Sequence, residues 1–278
     1  MPTTGRNGLV FYNLSHEIGH NMPQWPSPFS PPLVTNRLQY HAMHDCYTVE
    51  YDGILHRGTH MDSPIHVASN TPYLGEFDLS RFFGTGVAVS IPKGKWEVIT
   101  PEDLEQATPR IEPGDIVMIN TGAHRLYGDN DEYYSYSPGL YTDAAQWLVD
   151  RGVKLVGVDV QALDHPMGTR MVEHGPGPIL PHLIDEYRAY TGREVADDFP
   201  DWEPAHHVLL LNGIPGIENV GGELDAVTGQ RCTFLAFPSR IDQGDGSPIR
   251  VVAVVDPDQT FRIPGVPAAG SVAAGATA

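Results

Sequence analysis

Eleven residues, His56-Arg57-Gly58-Thr59-His60-Met61-Asp62-Ser63-Pro64-Ile65-His66, place three imidazoles and a carboxylate at offsets of four, six and ten from the first. All three offsets are even, so a pleated strand turns these side chains to one face. A helix would spread them, with offsets six and ten about 120° and 80° away, and Gly58 and Pro64 would weaken or break it. Yet a straight strand holds positions four apart at roughly 13 Å, too far to meet at one point. The segment therefore predicts a strand that bends at Gly58-Thr59, where glycine permits unusual backbone angles.

Imidazole nitrogen and carboxylate oxygen are ligands that Zn, Mn and Fe accept, and three protein ligands beside an open position make a catalytic metal site. A lone His in a strand is ordinarily a packed or surface residue. Four such side chains at one spacing, with a glycine and a proline between them, point instead to a metal.

His56, Gly58, Thr59, His60, Asp62, Pro64 and His66 spell H-x-G-T-H-x-D-x-P-x-H. On that motif the chain resembles the cyclase-like metal-dependent hydrolase family, which includes bacterial kynurenine formamidase, isatin hydrolase and trans-dienelactone hydrolase. The resemblance implies that His56, His60 and Asp62 hold a divalent metal and that His66 acts in acid/base chemistry; a further ligand, or a partner bonded to one, is the alternative for His66. It also implies a downstream pattern A-H-H…E-N, which puts His206 and Glu218, twelve residues apart, at the metal. The His206-His207 doublet leaves a one-residue alternative open. Upstream, Asn13-Leu14-Ser15, Ile18 and Pro23-Gln24-Trp25-Pro26 match a segment whose Trp stacks on substrate, so Trp25 is the substrate-binding candidate; a packing anchor is the other reading. Gly157-Val158-Asp159 resembles the family's G-I-D, but where relatives continue toward S-x-D this chain has Ala162-Leu163-Asp164. The resemblance spans about residues 10 to 256. It implies a single strand-rich α/β domain with a barrel-like mixed sheet core and flanking helices, one or two Zn or Mn ions per subunit, and assembly as a homodimer or homotetramer.

Charge bounds the partners. Seventeen basic against 35 acidic side chains give a net charge of -18, which repels phosphate backbones and anionic lipid. Nucleic acid and membranes are therefore excluded as expected partners, leaving a small-molecule substrate. Cys46 and Cys232 supply neither a disulfide framework nor a thiolate cluster, and a reduced cytoplasm suits them. The N-terminus lacks the apolar core of a secretory signal, and no apolar run approaches the eighteen or so residues of a membrane span. The domain is expected over residues 1–263, with a loose Ala/Gly-rich tail at 264–278.

Patterning predicts strands near 8–14, 86–91, 115–120, 153–160, 214–220, 232–238 and 249–255, with two more within 38–55 that deliver His56. Helices are expected after Thr100-Pro101, over 143–150 with Thr142 as cap and Gly152 as stop, near 179–190, and over 204–213. Residues 73–83 and the acidic, Tyr-rich 129–137 read as loops, the second one exposed. His124 and Arg125 follow the 115–120 strand where ligands collect in layered folds, so they are read as substrate contacts or plain surface residues. His16 and His20 are left out of the site. Residues 164–205, with His165 and His174, read as an insertion that forms a specificity lid or an oligomer contact.

A divalent ion lowers the pKa of bound water from about 16 to near 7, so no Ser or Cys nucleophile is required. The expected chemistry is hydrolysis of a small, aromatic amide, cyclic amide or lactone by metal-bound hydroxide, in the manner of an arylformamidase or isatin hydrolase. His66 would carry the proton, since imidazole titrates near neutrality. Asp62 and Glu218 each have two oxygens and could bridge two ions. Two other readings keep the ion: a Lewis acid for cyclisation or dehydration, and a binding protein in which the metal is structural.

Overall fold

Ile116–Asn120 is buried at every position, which its unbroken apolar run requires of a strand covered on both faces. It lies at the centre of a ten-stranded sheet in a computed structural model that describes residues 2–5, 8–28, 30–172, 174 and 177–257. In chain order the strands are β1 (Thr3–Thr4), β2 (Val10–Asn13), β3 (Val34–Gln39), β4 (Thr48–Asp52), β5 (His60–Asp62), β6 (Phe83–Ser90), β7 (Ile116–Asn120), β8 (Leu155–Val158), β9 (Gly216–Glu218), β10 (Gln230–Leu235), β11 (Gly246–Pro248) and β12 (Val252–Val255). The main sheet runs β1-β2-β12-β10-β6-β7-β8-β9-β5-β11. From β6 to β9 neighbours are parallel; the pairs outside that block are antiparallel.

The two-residue period of the central strands separates two cores. Val87, Val89, Val117, Ile119, Val156 and Val158 face one way, into a layer with the helices Pro101–Gln106, Thr142–Arg151 and Pro204–Leu211. Ala88, Ile116, Met118, Leu155 and Ile217 face the other way and meet Leu14, Met61, Phe234 and Ala253 from the outer strands. The sheet thus curls over its own inner face as a half-barrel, and the α/β architecture with a barrel-like mixed sheet and flanking helices is as the sequence implies.

Several local expectations are corrected. The strands within 38–55 are an antiparallel hairpin, β3 and β4, with a one-turn helix His41–His44 between them, and this hairpin forms its own two-stranded sheet. The His56–His66 segment is a strand only over His60–Asp62. Gly58, at φ +54°, turns the chain before it, and Pro64, with no N–H for a ladder, opens a 3-10 turn after it. Thr142 is the first helical residue and Tyr141 the cap position, while Gly152 does stop that helix in the left-handed region. Residues 73–83 contain two short 3-10 turns, Leu74–Glu76 and Leu79–Phe82. Within 129–137, Asp131–Tyr134 is a helical turn with Tyr133 and Tyr134 buried, because the rings pack edge-on and the Tyr133 hydroxyl donates to Asn219 Oδ1 at 2.8 Å. The predicted 264–278 tail lies outside the described residues. Among the described residues no helix is long and apolar enough to cross a membrane.

Candidate metal centre

Alternation along β5 sends Met61 into the inner core and turns His60 and Asp62 to the opposite face. Strand β5 lies between β9 and β11, in a register that sets His60 opposite Glu218. His60 Nε2 is 3.3 Å from Glu218 Oε2 and 3.4 Å from Asp62 Oδ1. His206 enters from the first turn of the helix Pro204–Leu211, its Nε2 3.1 Å from Glu218 Oε1 and 3.4 Å from Asp62 Oδ2. His56 completes the group, with Nδ1 2.7 Å from Asp62 Oδ1. All five predicted ligand residues therefore meet, and His206 rather than His207 is the member of the doublet that reaches the cluster. His207 turns its Nδ1 to the Glu203 carbonyl at 2.8 Å, one turn back in its helix.

The outer nitrogens are fixed by neighbours. His60 Nδ1–H donates to the Gly58 carbonyl at 2.8 Å, which leaves Nε2 free to face inward. One carboxylate, Asp164, accepts the backbone N–H groups of Ala205 and His206 at 2.6 and 3.0 Å and the His206 ring at Nδ1 at 2.6 Å. The same side chain starts the helix and orients its imidazole. Glu218 Oε1 also accepts from the Leu163 N–H at 2.8 Å. Thr59 Oγ1 donates to the Asn219 carbonyl at 2.6 Å and accepts from His16 N–H at 2.9 Å, pinning the bend beside β9.

This donor set fits a divalent cation. Asp62 Oδ1 and Oδ2 and His60 Nε2 are buried without a hydrogen-bond partner, although imidazole nitrogens stand 2.7–3.4 Å from the Asp62 oxygens. Asp62 and His60 lone pairs converging in a buried site are an expensive arrangement unless positive charge, a protonated imidazole or a metal ion, sits among them. Among the described residues, two groups have ligand atoms close enough to share an ion: His60, Asp62 and Glu218, all buried, and His56, Asp62 and His66.

Electrostatics agree. Burial opposes ionisation of Asp62, yet the imidazoles of His56, His60 and His206 outweigh it and hold that carboxyl well below the usual range. Burial likewise disfavours charge on His56, but Asp62 and Asp245 override it and raise its pKa to about 10. His206 is also raised against burial, by Asp164, Asp62 and Glu218. The carboxylates thus draw positive charge into the cluster.

His66 lies at its edge, exposed, with its ring 4.1 Å from that of His56, centroid to centroid. Its Nδ1 is 3.4 Å from Asp245 Oδ2, which also takes His56 Nε2 at 2.9 Å. Asp245 was missed by the sequence reading. It sits in a Gly/Asp turn almost 190 residues from His56, and only the pairing of the three-residue β11 with β5 brings it near. Asp164 was noted only as part of a departure from the family pattern. Tyr134 was assigned to an exposed loop.

The cluster lines a cavity of about 410 Å3, with Trp25, Tyr134, Gln161, Thr169, Arg170 and Trp202 also in its wall. Trp25 is therefore in the site, and the 164–205 segment borders it. His124 and Arg125 are elsewhere. The His124 ring is held between Asp159 at 2.9 Å and Asp225 at 3.4 Å, and Arg125 pairs with Asp225, so carboxylates within the fold already satisfy them. His16 stacks on Tyr127 at 3.7 Å, and burial lowers its pKa to about 4.

The model of the family described as Putative cyclase matches residues 12–165, more than half of the chain, and the chain belongs to that family. It is 25% identical over 242 residues to a kynurenine formamidase of Bacillus cereus, covering 86% of this chain and 95% of that one. Its fold is similar to that of isatin hydrolase A from Ralstonia solanacearum, with a TM-score of 0.71 and 21% identity over 90% of this chain and 94% of the other. It is also similar to a structure described as a potential metal-dependent hydrolase with cyclase activity, with a TM-score of 0.62 and 20% identity over 90% of this chain and 100% of the other.

Proposed function

We propose that the protein is a metal-dependent hydrolase that cleaves the C–N bond of a small aromatic amide or cyclic amide. The observation that carries this reading is the convergence of unpaired, buried ligand atoms of His60 and Asp62, beside His206, Glu218 and His56, in the wall of a cavity that Trp25 also lines. Similarity to a kynurenine formamidase and to an isatin hydrolase fold supports it.

His60, Asp62, His206, Glu218 and His56 would hold one or two divalent ions, Zn or Mn by ligand chemistry. Such an ion supplies an acidified water at neutral pH and polarises a carbonyl. The chain's own residues do the rest. Asp245 steadies His66 through Nδ1, leaving Nε2 to accept a proton from the attacking water and return it to the departing nitrogen as the C–N bond breaks. Trp25 flanks the aromatic ring. Segment 164–205, through Thr169, Arg170 and Trp202, acts as the lid that shields the reaction from bulk water.

A homodimer or homotetramer fits the hairpin β3–β4, which carries exposed Leu38, Val49 and Tyr51, with Met43 and Tyr47 in its connection. An isolated two-stranded sheet is marginal by itself, so a second copy covers it. The two free cysteines suit the cytoplasm.

The test strips the metal with a chelator, verifies its loss, reloads Zn or Mn, and assays N-formylkynurenine, isatin, lactones and cyclic imides in isotopic water. Turnover is expected only in loaded protein, with solvent oxygen in the acid product. Turnover that survives verified metal loss rejects the proposal.

A further inference from the structure

Next to the cluster, Gln161 is 3% exposed and lines the cavity, and neither Oε1 nor Nε2 of its carboxamide has a hydrogen-bond partner. Its backbone is pinned on both sides: the Val160 carbonyl accepts from Asn219 N–H at 2.9 Å, and Leu163 N–H donates to Glu218 Oε1 at 2.8 Å. A carboxamide held in that place and left unsatisfied at both ends is costly, and buried polar groups in native proteins are nearly always paired.

We propose that Gln161 is a specificity-determining residue whose carboxamide pairs through both atoms with a substrate edge carrying N–H beside C=O. A primary amide presents an acceptor and a donor side by side. Their complement is the cis N–H/C=O edge of a ring amide or imide; a trans open-chain amide points the two groups apart, and a lactone has no donor. The enzyme's preferred substrate is therefore a cyclic amide or imide with a free ring N–H. This rests on the hydrolase reading for its turnover data but not for its binding data.

Metal-loaded protein is titrated calorimetrically with phthalimide and with N-methylphthalimide, which has the same ring and no donor, and both are assayed for turnover. The wild type is expected to bind phthalimide more tightly and, if it hydrolyses imides, to favour it in kcat/KM, by on the order of 10–100-fold. Gln161→Leu, similar in volume and free of polar atoms, is expected to lose that preference while keeping its metal content and thermal midpoint. Gln161→Glu, which keeps an acceptor for the ring N–H but removes the donor to the carbonyl, should bind both imides more weakly while keeping the preference. Equal binding of the two imides by the wild type, binding of neither, or an undiminished preference in Gln161→Leu overturns the proposal. Selective binding without turnover supports the role of Gln161 while counting against the hydrolase reading.

Discussion

The Nδ1 of His206 lies 2.6 Å from Asp164 Oδ2, and the same carboxylate caps the first turn of the helix that carries this histidine. A buried carboxylate on the outer nitrogen fixes the ring, its tautomer and its basicity toward an ion on the other side. Asp164→Asn keeps the shape and removes the charge. It is expected to weaken Zn affinity by about 10–100-fold in competition with a chromophoric chelator. An unchanged affinity would mean that the contact serves only the helix.

His66 and the ligands separate in one variant. His66→Ala is expected to lower kcat by about 100- to 10,000-fold, the range for a lost proton-transfer group, with metal content per subunit unchanged. Metal loss together with activity would make His66 a ligand, consistent with its grouping with His56 and Asp62. Full activity would remove it from the chemistry.

The acid limb of the stability curve has an identifiable source outside the site. His165 is wholly buried, stacks on Phe199 at 4.3 Å, and accepts from Met167 N–H at 3.1 Å. Burial pulls its pKa from 6.5 to about 3. Between those values the unfolded chain binds a proton that the folded chain refuses. This group's contribution is thus present above pH 6.5 and is lost as pH falls, by about 1.4 kcal/mol per pH unit. Urea unfolding of His165→Gln, which cannot titrate, should show a shallower decline below pH 6.5 than the wild type. Parallel declines would assign the effect to other groups.

The hairpin predicts mass. Light scattering at micromolar concentration should give two or four times 30.4 kDa, and Met43→Ser with Tyr47→Ser should shift the protein toward single subunits. A monomeric wild type would leave the exposed hairpin side chains without the proposed cover.

Much of the site was legible because its ligands are crowded into one segment. Three even offsets and a glycine specified a strand and a bend, but the strand covers only His60–Asp62, His56 precedes it, and His66 lies in the 3-10 turn that Pro64 opens. His206 and Glu218 were reached through resemblance, since nothing local ties a helix start to a strand twelve residues on. Asp245 was not legible: its place depends on β11 crossing to β5, a long-range pairing of three residues with no periodic signal. Asp131–Tyr134 was misread because acidic and tyrosyl residues suggest solvent by composition, whereas phenol rings bury readily once the hydroxyl finds an acceptor such as Asn219. His124 shows the reverse failure, a strand-end histidine that carboxylates of the fold itself had already claimed.

In β5, Met61 points into the inner core between two residues that point into the His/carboxylate cluster. Sliding this strand by one residue against β9 would carry a thioether to the cation's place and drive an imidazole and a carboxylate into hydrocarbon. Misaligned chains would then be both unstable and unable to take up metal, so metal uptake reports on correct strand alignment.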